Sequence, residues 1–476
     1  MLALVLESST SAAKALLYDN REGAIAEETE PYSQEYDSGG RQDAEQVWQA
    51  TARAGKKALA SSSGSRIEAV GVGGVWHSIV PCDRNMIPAE RSCLWSFTGP
   101  DAICRDYRAR KDMARDIYRR TGCMPNITYQ PYALLHLMRE EAFDPAGRLF
   151  ASQAGFNFYR LTGERLETRS IVSGMGFLNT HDRVYDEGVM KMIGCRPEQF
   201  GTLTDYRDAR PLGGEAARLL GVPAGIPVVP PHSDGALNQV GNGCMRTGSM
   251  TFSVGTSAAI RLSTDRPVLS DPPGTWCYVG VEDWLCGAAT NGACNCVNWL
   301  RETVLENRWS FADLERGLGD SPRSPVFLPF LFGERCPGWD DTRRAGFAEL
   351  RSGDGAAALF RGVLEGVLFN VFHCYRILIG LAGEPGEIIM SGGILNSPAW
   401  TQMAADLFQR ELSLSPAAQA STLGGAALAL HAAGALPDIR AFGRDRLAKV
   451  RPRPEKAGEY ADKFARYLAH YETGKS

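Results

Sequence analysis

A strand–turn–strand pattern occurs twice in this chain, once at its start and once near its middle. The two turns are Ser9-Thr10-Ser11 and Gly255-Thr256-Ser257. The apolar runs that flank them are 2–6 and 13–18 in the first copy, and 250–254 and 258–262 in the second. Apolar runs joined by a tight turn of small residues predict β-hairpins. The recurrence predicts two α/β halves of related design that face one cleft.

Length and charge limit what the chain can be. At 476 residues it is too long for a single core, so we expect two domains, 1–241 and 242–476. The 51 basic and 55 acidic residues are interspersed and leave a net charge of -4, which gives no electrostatic field for nucleic acid or an anionic membrane. No apolar run looks long enough to span a bilayer. We therefore expect neither a nucleic-acid nor a membrane partner.

The twelve cysteines are irregularly spaced and include no Cys-x-x-Cys pair. Cys294 and Cys296 are close together, but no further Cys or His stands beside them at zinc-ligand spacing. The start of the chain lacks the basic region of a signal peptide. These features predict reduced cysteines in a cytoplasmic protein.

Four residues of the first hairpin suit the phosphates of a nucleotide. Glu7 offers a carboxylate for a metal, Thr10 and Ser11 offer hydroxyl and amide groups, and Lys14 offers a cation. An ordinary polar hairpin has the same composition, so this feature alone decides nothing.

Three later segments carry similar chemistry. Asp234 follows the apolar run 226–229, where a carboxylate can deprotonate a hydroxyl group or cap a helix. The turn at Gly255 and Thr256 can expose amide groups to a phosphate. Gly392, Gly393 and Asn396 lie between a predicted strand and a helix, an arrangement that suits adenosine or phosphate.

Aromatic residues follow the predicted strand 67–75. Trp76 and His77 suit a sugar, through ring stacking and a hydrogen bond, although a core Trp and a satisfied core His are equally compatible with the sequence. Glu334 and Arg335 follow an apolar run and are interpreted as a structural ion pair. Periodicity predicts helices at 45–60, 101–120, 131–141, 147–163, 291–306, 361–381, 423–434 and 456–472.

Taken together, the motifs resemble the FGGY carbohydrate kinases, members of the actin/hexokinase/Hsp70-type ATPase superfamily. The resemblance covers nearly the whole chain and is closest to gluconokinases, with xylulokinases next. The segments that carry it are 7–14, 40–48, 161–164, 253–257, 333–337, 392–397 and 423–427, in family order and at family spacing.

The resemblance implies two ribonuclease H-like domains with ATP and Mg²⁺ in the cleft between them. It implies phosphorylation of a small sugar, polyol or sugar acid, with Asp234 as the catalytic base. Glu7 and Asp234 would hold the metal. The nucleotide would be bound by the hairpin residues Thr10, Ser11, Lys14, Gly255 and Thr256, and by Gly392, Gly393 and Asn396. Trp76, His77, Trp95 and Asp234 would contact the sugar. Family members are often homodimers, although the sequence contains no interface signal.

Three departures from the family pattern affect ligand motifs. Glu7 replaces an Asp and is one methylene longer. Ser9 replaces a Gly, and the backbone of Ser9 is strained if its φ is positive. Phe97 and Gly99 stand where relatives carry Asp and Arg, which puts gluconate itself in question. These departures motivate an alternative, a catalytically weak nucleotide- or sugar-binding sensor. A dehydrogenase is disfavoured because the sequence lacks the dinucleotide-binding fingerprint Gly-x-Gly-x-x-Gly.

Overall fold

Two mixed β-sheets form the framework of the protein. The computed structural model describes residues 1–33, 37–61, 67–319, 323–415, 419–443 and 447–473, with only the backbone at 37 and 38. The first sheet contains β1 (Leu2–Ser8), β2 (Ala12–Asp19), β3 (Gly23–Pro31), β4 (Ile67–Gly74), β5 (Arg210–Pro211), β6 (Pro227–Val228) and β7 (His232–Ser233). Their spatial order is β5-β6-β4-β1-β2-β3, and β7 also pairs with β4.

The second sheet lies in the second half of the chain. It contains β8 (Ser249–Val254), β9 (Ala258–Thr264), β10 (Trp276–Val279), β11 (Trp284–Thr290), β12 (Glu387–Gly392), β13 (Leu412–Leu414) and β14 (Ala448–Val450). Their order is β10-β11-β9-β8-β12-β13-β14.

The two sheets share one strand order and one pattern of directions. In each, a hairpin (β1–β2 or β8–β9) pairs antiparallel with a third strand (β3 or β11). The first strand of each hairpin pairs in parallel with a fourth strand, β4 or β12. The prediction of an α/β chain with two related halves is confirmed.

Helices cover the sheets and fill the space between them. They span Ala44–Ala60, Asp101–Ala109, Lys111–Thr121, Gln130–Glu140, Gln153–Thr162, Arg169–Met175, Glu187–Ile193, Gly214–Leu220, Asp234–Gly241, Cys294–Trp299, Phe311–Arg316, Ala356–Ala382, Pro398–Phe408, Ala420–Ala432 and Ala457–Thr473. Short strands at Asp37–Ser38, Arg41–Gln42, Ser78–Cys82, Ser92–Leu94 and Leu149–Ala151 form a five-stranded sheet. Two further two-stranded sheets pair Leu166–Thr168 with Thr202–Thr204, and Val326–Leu328 with Gly346–Ala348.

Three predicted helices differ from the observed elements. The helix 101–120 is two helices, because Arg110 leaves the helical conformation (φ -86°, ψ 74°); a continuous helix would carry Arg110 and Lys111 onto its buried stripe. The helix 147–163 begins only at Gln153, because Leu149–Ala151 pairs as a strand and Ser152 caps the helix. The helix 291–306 begins at Cys294 and continues as a π-helix over Leu300–Val304.

Two equivalent helices, one from each half, cross at very short range. Asp234–Gly241 follows β6 and the short β7, and Ala420–Ala432 follows β13, which pairs in parallel with β12 as β6 does with β4. A Cβ atom at Gly424 would lie 2.0 Å from the Leu237 carbonyl oxygen, and one at Gly241 would lie 1.9 Å from that of Ala420. Only glycine permits this approach. The crossing joins the two halves behind the cleft.

The helix Ala356–Ala382 corrects one prediction. Its most apolar window has a mean hydropathy of 1.4, so it is long and apolar enough to cross a membrane by length and composition, contrary to our expectation from the sequence. However, 72% of that window is buried inside the protein. A buried apolar helix is typical of a core element.

The halves also meet through contacts outside this helix crossing. The Tyr129 and Tyr278 hydroxyl groups are 2.8 Å apart, and the Cys277 amide donates to the Gly122 carbonyl over 3.1 Å. Arg108 forms an ion pair with Asp341. All twelve cysteines carry free thiols.

Candidate active site

A large cleft lies between the two halves. Its volume is about 1690 Å³. The strands β1, β4 and β7, and in the other half β8 and β12, end at this cleft, since each set runs in parallel. Ten sequence-predicted residues line it together: Glu7, Thr10, Ser11, Lys14, Asp234, Gly255, Thr256, Gly392, Gly393 and Asn396.

Glu7 is the only charged residue of β1, lies next to the end of that strand, and is 1% exposed. Its Oε1 accepts a 2.6 Å hydrogen bond from the Ser9 hydroxyl and lies 3.4 Å from the Lys14 Nζ. Its Oε2 is buried and has no hydrogen-bond partner. Ser9 does not adopt a positive φ, so the strain considered from the sequence is not present.

The tip of the first hairpin is held by side chains from elsewhere in the first half. The Gln42 amide donates to the Thr10 carbonyl over 2.6 Å. The Trp95 indole N–H donates to the Thr10 hydroxyl oxygen over 3.1 Å, which leaves the hydroxyl proton of Thr10 free to donate to a ligand. Trp95 does not line the cleft's main volume, and it contacts the first turn from outside through this hydrogen bond.

The second hairpin approaches from the opposite side. The Gly255 amide donates to the Ser257 carbonyl over 2.9 Å, which closes the turn. Next to it, Gly392 has φ 94°, and a Cβ there would lie 2.4 Å from the Val254 carbonyl oxygen. Glycine is therefore required where β12 passes the second hairpin, and the short helix Gly393–Asn396 follows at the cleft wall.

Asp234 is the first residue of the helix Asp234–Gly241, with Ser233 as the cap. Its Oδ1 accepts from the Gly235 amide over 2.7 Å. Burial, and then the negative charge of Glu7, raise the pKa of Asp234 to about 6, against the opposing charge of Arg261. A carboxylate with a pKa near neutrality is suited to accept a proton.

Trp76 and His77 are mainly buried, with 4% and 8% exposure, and neither lines the main volume of the cleft. The Trp76 indole donates to the Ser170 carbonyl over 2.8 Å. A Cβ at Gly235 would lie 2.4 Å from the Trp76 ring, so Trp76 packs directly behind the residue that follows Asp234. Their contact with a sugar stays a prediction.

Arg261 is a site residue that the sequence analysis did not identify. It lies on β9, lines the cleft, and donates to the Ser253 hydroxyl over 3.2 Å. Burial lowers its pKa, which the charge of Asp234 opposes. The signal in the sequence was a single arginine in an otherwise uncharged strand, since Ala258–Thr264 holds no other charged residue.

Phe97 and Gly99, which depart from the family pattern, are sterically matched. A Cβ at Gly99 would lie 2.3 Å from the Phe97 ring, so the ring occupies the space that a longer side chain at 99 would need. Phe97 packs edge-on against His136, with ring centroids 5.3 Å apart, and lies 5.5 Å below the Arg41 guanidinium. This wall of the first half therefore carries no polar side chain at either position.

The predicted ion pair between Glu334 and Arg335 is wrong. Glu334 pairs with Arg343 at 3.0 Å and also accepts from the Tyr471 hydroxyl over 2.6 Å. Because adjacent side chains leave an extended turn in different directions, Arg335 instead lies near Tyr129 and Tyr278.

Comparisons with known proteins match both halves of the chain to one family. Residues 2–241 match the N-terminal domain of the FGGY family of carbohydrate kinases, and residues 250–433 match its C-terminal domain. A gluconokinase of Bacillus licheniformis is 24% identical over 96% of this chain and 93% of its own. A xylulose kinase of Escherichia coli (strain K12) is 26% identical over 95% of this chain and 90% of its own.

A solved structure shows the same fold. The gluconate kinase from Lactobacillus acidophilus superimposes with a TM-score of 0.93 at 24% identity, over 100% of this chain and 99% of the other.

Proposed function

The chain belongs to the FGGY family of carbohydrate kinases, and from this premise we propose that it transfers a phosphoryl group from ATP to a hydroxyl group of a small sugar, polyol or sugar acid. The observation that carries the proposal is the position of Asp234. Its carboxylate lines the cleft that the tips of both hairpins also line.

Asp234 would accept the proton of the attacking hydroxyl group. An alcohol is too weakly acidic to attack at neutral pH, and a carboxylate with a pKa of about 6 is ionised there and still basic enough to share the proton in the transition state. The Gly235 amide and Arg261 both favour its ionised form.

Phosphoryl transfer depends mainly on positioning and charge stabilisation. The Thr10 and Ser11 turn on one side and the Gly255 and Thr256 turn on the other would bind the transferred phosphates through amide and hydroxyl donors. Lys14 would add positive charge, held in place by Glu7. Gly392, Gly393 and Asn396 would form the wall for the rest of the nucleotide.

The residues present fit Mg²⁺. The buried Glu7 Oε2 lacks a hydrogen-bond partner, and the charge of Glu7 acts on Asp234. Mg²⁺ is usually held by one or two carboxylates together with water and phosphate oxygens, so Glu7 and Asp234 would hold the ion together with such oxygens. When bound, the ion would neutralise charge on the transferred phosphates.

Three further predictions rest on the same resemblance. We propose two domains, 1–241 and 242–476, and the support for them is that each of the two large sheets lies within one of these ranges. Action in the cytoplasm and a homodimer stay predictions, to be checked by fractionation and analytical ultracentrifugation.

The test is ADP release from ATP and Mg²⁺ with gluconate, xylulose, ribulose and glycerol as acceptors. Asp234→Asn should lower the acceptor-dependent rate by at least about 10²-fold. Asp462→Asn, at an exposed carboxylate of the last helix, is the matched control and should leave the rate unchanged. A rate within a few-fold of wild type in Asp234→Asn contradicts the assignment of the base.

A further inference from the structure

Arg261 brings a positive charge from the second half to the base of the first half. It lies on β9 and lines the cleft. A Cβ atom at Gly235, the residue after Asp234, would lie 3.3 Å from the Arg261 Nε. Burial lowers the pKa of Arg261, and the charge of Asp234 opposes this shift, as expected for a nearby carboxylate. The guanidinium therefore lies beside the base, at the boundary between the halves.

Arg261 has no ion-pair partner in the described part of the protein, although Asp234 is near. Its Nη1 donates to the neutral Ser253 hydroxyl group over 3.2 Å, and its Nε is buried without a hydrogen-bond partner. The buried Arg343, by contrast, pairs with Glu334 at 3.0 Å. Because a buried charge without a counter-charge is unfavourable, Arg261 is suited to bind an anion that a ligand brings into the cleft.

Lys14 is the other cation to consider. Among the described residues that line the cleft, Lys14 and Arg261 are the cations, and Glu7 and Asp234 are the carboxylates. Lys14 and Glu7 are opposite each other in the first hairpin, and the Lys14 Nζ lies 3.4 Å from the Glu7 Oε1. This pairing offsets the charge of Lys14. Of these two cations, Arg261 is the one that no carboxylate offsets at close range.

The proposed reaction brings an anion next to Asp234. The attacking oxygen of the acceptor must be within hydrogen-bond reach of the base, about 2.6–3.2 Å. The same oxygen forms the new bond to phosphorus, so the phosphoryl group passes next to Asp234 during transfer. Its negative charge is spread over three equatorial oxygens, and a neutral acceptor brings no other anion to this position. These oxygens are therefore the partner that the reaction offers to Arg261.

Ser253 fixes the guanidinium relative to the second hairpin. It lies on β8, just before the turn at Gly255, and lines the cleft. Its hydroxyl group accepts from the Arg261 Nη1 over 3.2 Å and donates to the Ala259 carbonyl over 3.4 Å. A charge that is already oriented stabilises a transition state without rearrangement during the reaction. The arrangement is therefore suited to catalysis and not only to binding.

We propose that Arg261 is a further catalytic residue, whose guanidinium donates hydrogen bonds to the phosphoryl group in transit, and that Ser253 is its positioning residue. In this step the acceptor oxygen forms a bond to the γ-phosphorus. The bond from that phosphorus to the β–γ bridging oxygen breaks, and ADP leaves with the electron pair. The hydroxyl proton passes to Asp234, while Arg261 keeps its proton and its charge throughout. This inference rests on the proposed function and deepens it.

The main test is Arg261→Met, which removes the charge and keeps a long side chain. The acceptor is whichever of gluconate, xylulose, ribulose and glycerol the wild-type enzyme uses best. We expect kcat to fall by at least about 10²-fold, because an oriented donor to transition-state charge contributes about 10²–10³-fold. KM for ATP and for the acceptor should change less than about threefold. Assays at about pH 8.5 keep Asp234 ionised in both proteins, so protonation of the base does not explain the loss.

Arg266→Met is the matched control. Arg266 is an exposed arginine just after the same strand, so its substitution should leave kcat unchanged. Stability gives a second check, because Arg261 has no ion-pair partner to lose. Arg261→Met should therefore unfold in urea at the same concentration as the wild-type protein or at a higher one. A lower midpoint together with unchanged kcat would show that Arg261 is only structural.

A binding measurement separates direct contact with the phosphoryl group from an effect through the base. ADP with Mg²⁺ and aluminium fluoride mimics a phosphoryl group in transit, and its affinity is measured without turnover. Arg261→Met should weaken binding of this mimic by at least about tenfold and that of ADP alone by less than about threefold. The same loss should appear in an Asp234→Asn background, because the contact does not depend on the base.

Two further variants test the chemistry of the contact. Arg261→Lys keeps the charge but not the planar fork of donors, and it should lower kcat by about tenfold. Ser253→Ala should also lower kcat by about tenfold, with KM unchanged, because a hydrogen bond to a charged group is lost. Both variants leave a cation in the cleft, so they report on its orientation.

The outcomes separate the inference from the proposed function. If Arg261→Met acts mainly through KM for the acceptor, Arg261 binds the acceptor itself and the inference is overturned. It is also overturned if affinity for the mimic is unchanged, or if the loss disappears in the Asp234→Asn background. In these cases the kinase assignment stands. If the wild-type enzyme releases no ADP with any acceptor, the proposed function fails, and the inference fails with it.

Discussion

The Ser9 hydroxyl donates a 2.6 Å hydrogen bond to the Oε1 of Glu7. By resemblance, these are the two positions of the first hairpin at which the family carries Gly and Asp. The longer Glu7 side chain is therefore fixed by a hydroxyl group that a glycine would not provide. The two departures compensate each other.

The first prediction is a coupling between these residues. Ser9→Gly should lower kcat/KM by about tenfold or more, because a hydrogen bond to a charged group contributes about 1.5–3 kcal/mol. In a Glu7→Asp background, Ser9→Gly should cost much less. The measurement is a double-mutant cycle on kcat/KM. Ser352→Gly, at an exposed serine, is the control, and equal costs of Ser9→Gly in both backgrounds would contradict the coupling.

The second prediction concerns the pH dependence of activity. Burial and Glu7 raise the pKa of Asp234 to about 6, and only the ionised carboxylate can accept a proton. The profile of kcat/KM should therefore be flat above pH 6 to 7 and fall tenfold per pH unit below about pH 6. An acid limb centred near pH 4 would show that the carboxylate is not perturbed in the working enzyme.

The third prediction concerns stability. The folded-state pKa of Asp234 is raised from 3.8 to about 6, so the folded state holds this proton more tightly than the unfolded state. Relative to Asp234→Asn, the wild-type protein should lose stability as the pH rises from about 4 to about 6, by an amount on the order of 2 kcal/mol. Above pH 6 to 7 the difference should stay constant.

Chemical unfolding of both proteins across this pH range, in the absence of nucleotide and metal, measures the difference. A difference in unfolding free energy that does not change between pH 4 and pH 7 would contradict the shift.

The fourth prediction concerns the helix crossing between the halves. Gly424→Ala places a Cβ 2.0 Å from the Leu237 carbonyl oxygen, which forces backbone to move and should cost at least about 2–3 kcal/mol of unfolding free energy. Gly380→Ala is the matched control, since it lies in a helix with no atom within 4 Å of its added Cβ. It should be neutral or stabilising by up to about 1 kcal/mol. Thermal or urea unfolding distinguishes them.

The sequence predicted the framework well because its signals are local. The apolar runs around both hairpins and the glycine pair at Gly392 and Gly393 each have a distinct pattern. The strands Gly23–Pro31 and Trp284–Thr290 were missed. The first strand is exposed along much of its length and rich in acidic residues. The second contains small residues and does not alternate between apolar and polar side chains.

The site was predicted less completely, because its remaining parts depend on contacts that are distant along the chain. Glu334 pairs with Arg343 and Tyr471, and nothing in the sequence around Glu334 indicates either partner. Arg261 approaches the base only because β9 lies against the helix that follows β7. Such relationships arise from tertiary packing, which motif spacing does not encode.

The shared strand order separates what is common to the two halves from what distinguishes them. Between β4 and β6 the first half carries residues 75–226, whereas the corresponding connection between β12 and β13 is only 393–411. The longer connection supplies His77, Trp95 and Tyr129, and the connection between β11 and β12 supplies Arg335. If the proposed function holds, the shared scaffold would bind the phosphates and the long first-half connection would contact the acceptor, so acceptor preference could diverge while the scaffold stayed unchanged.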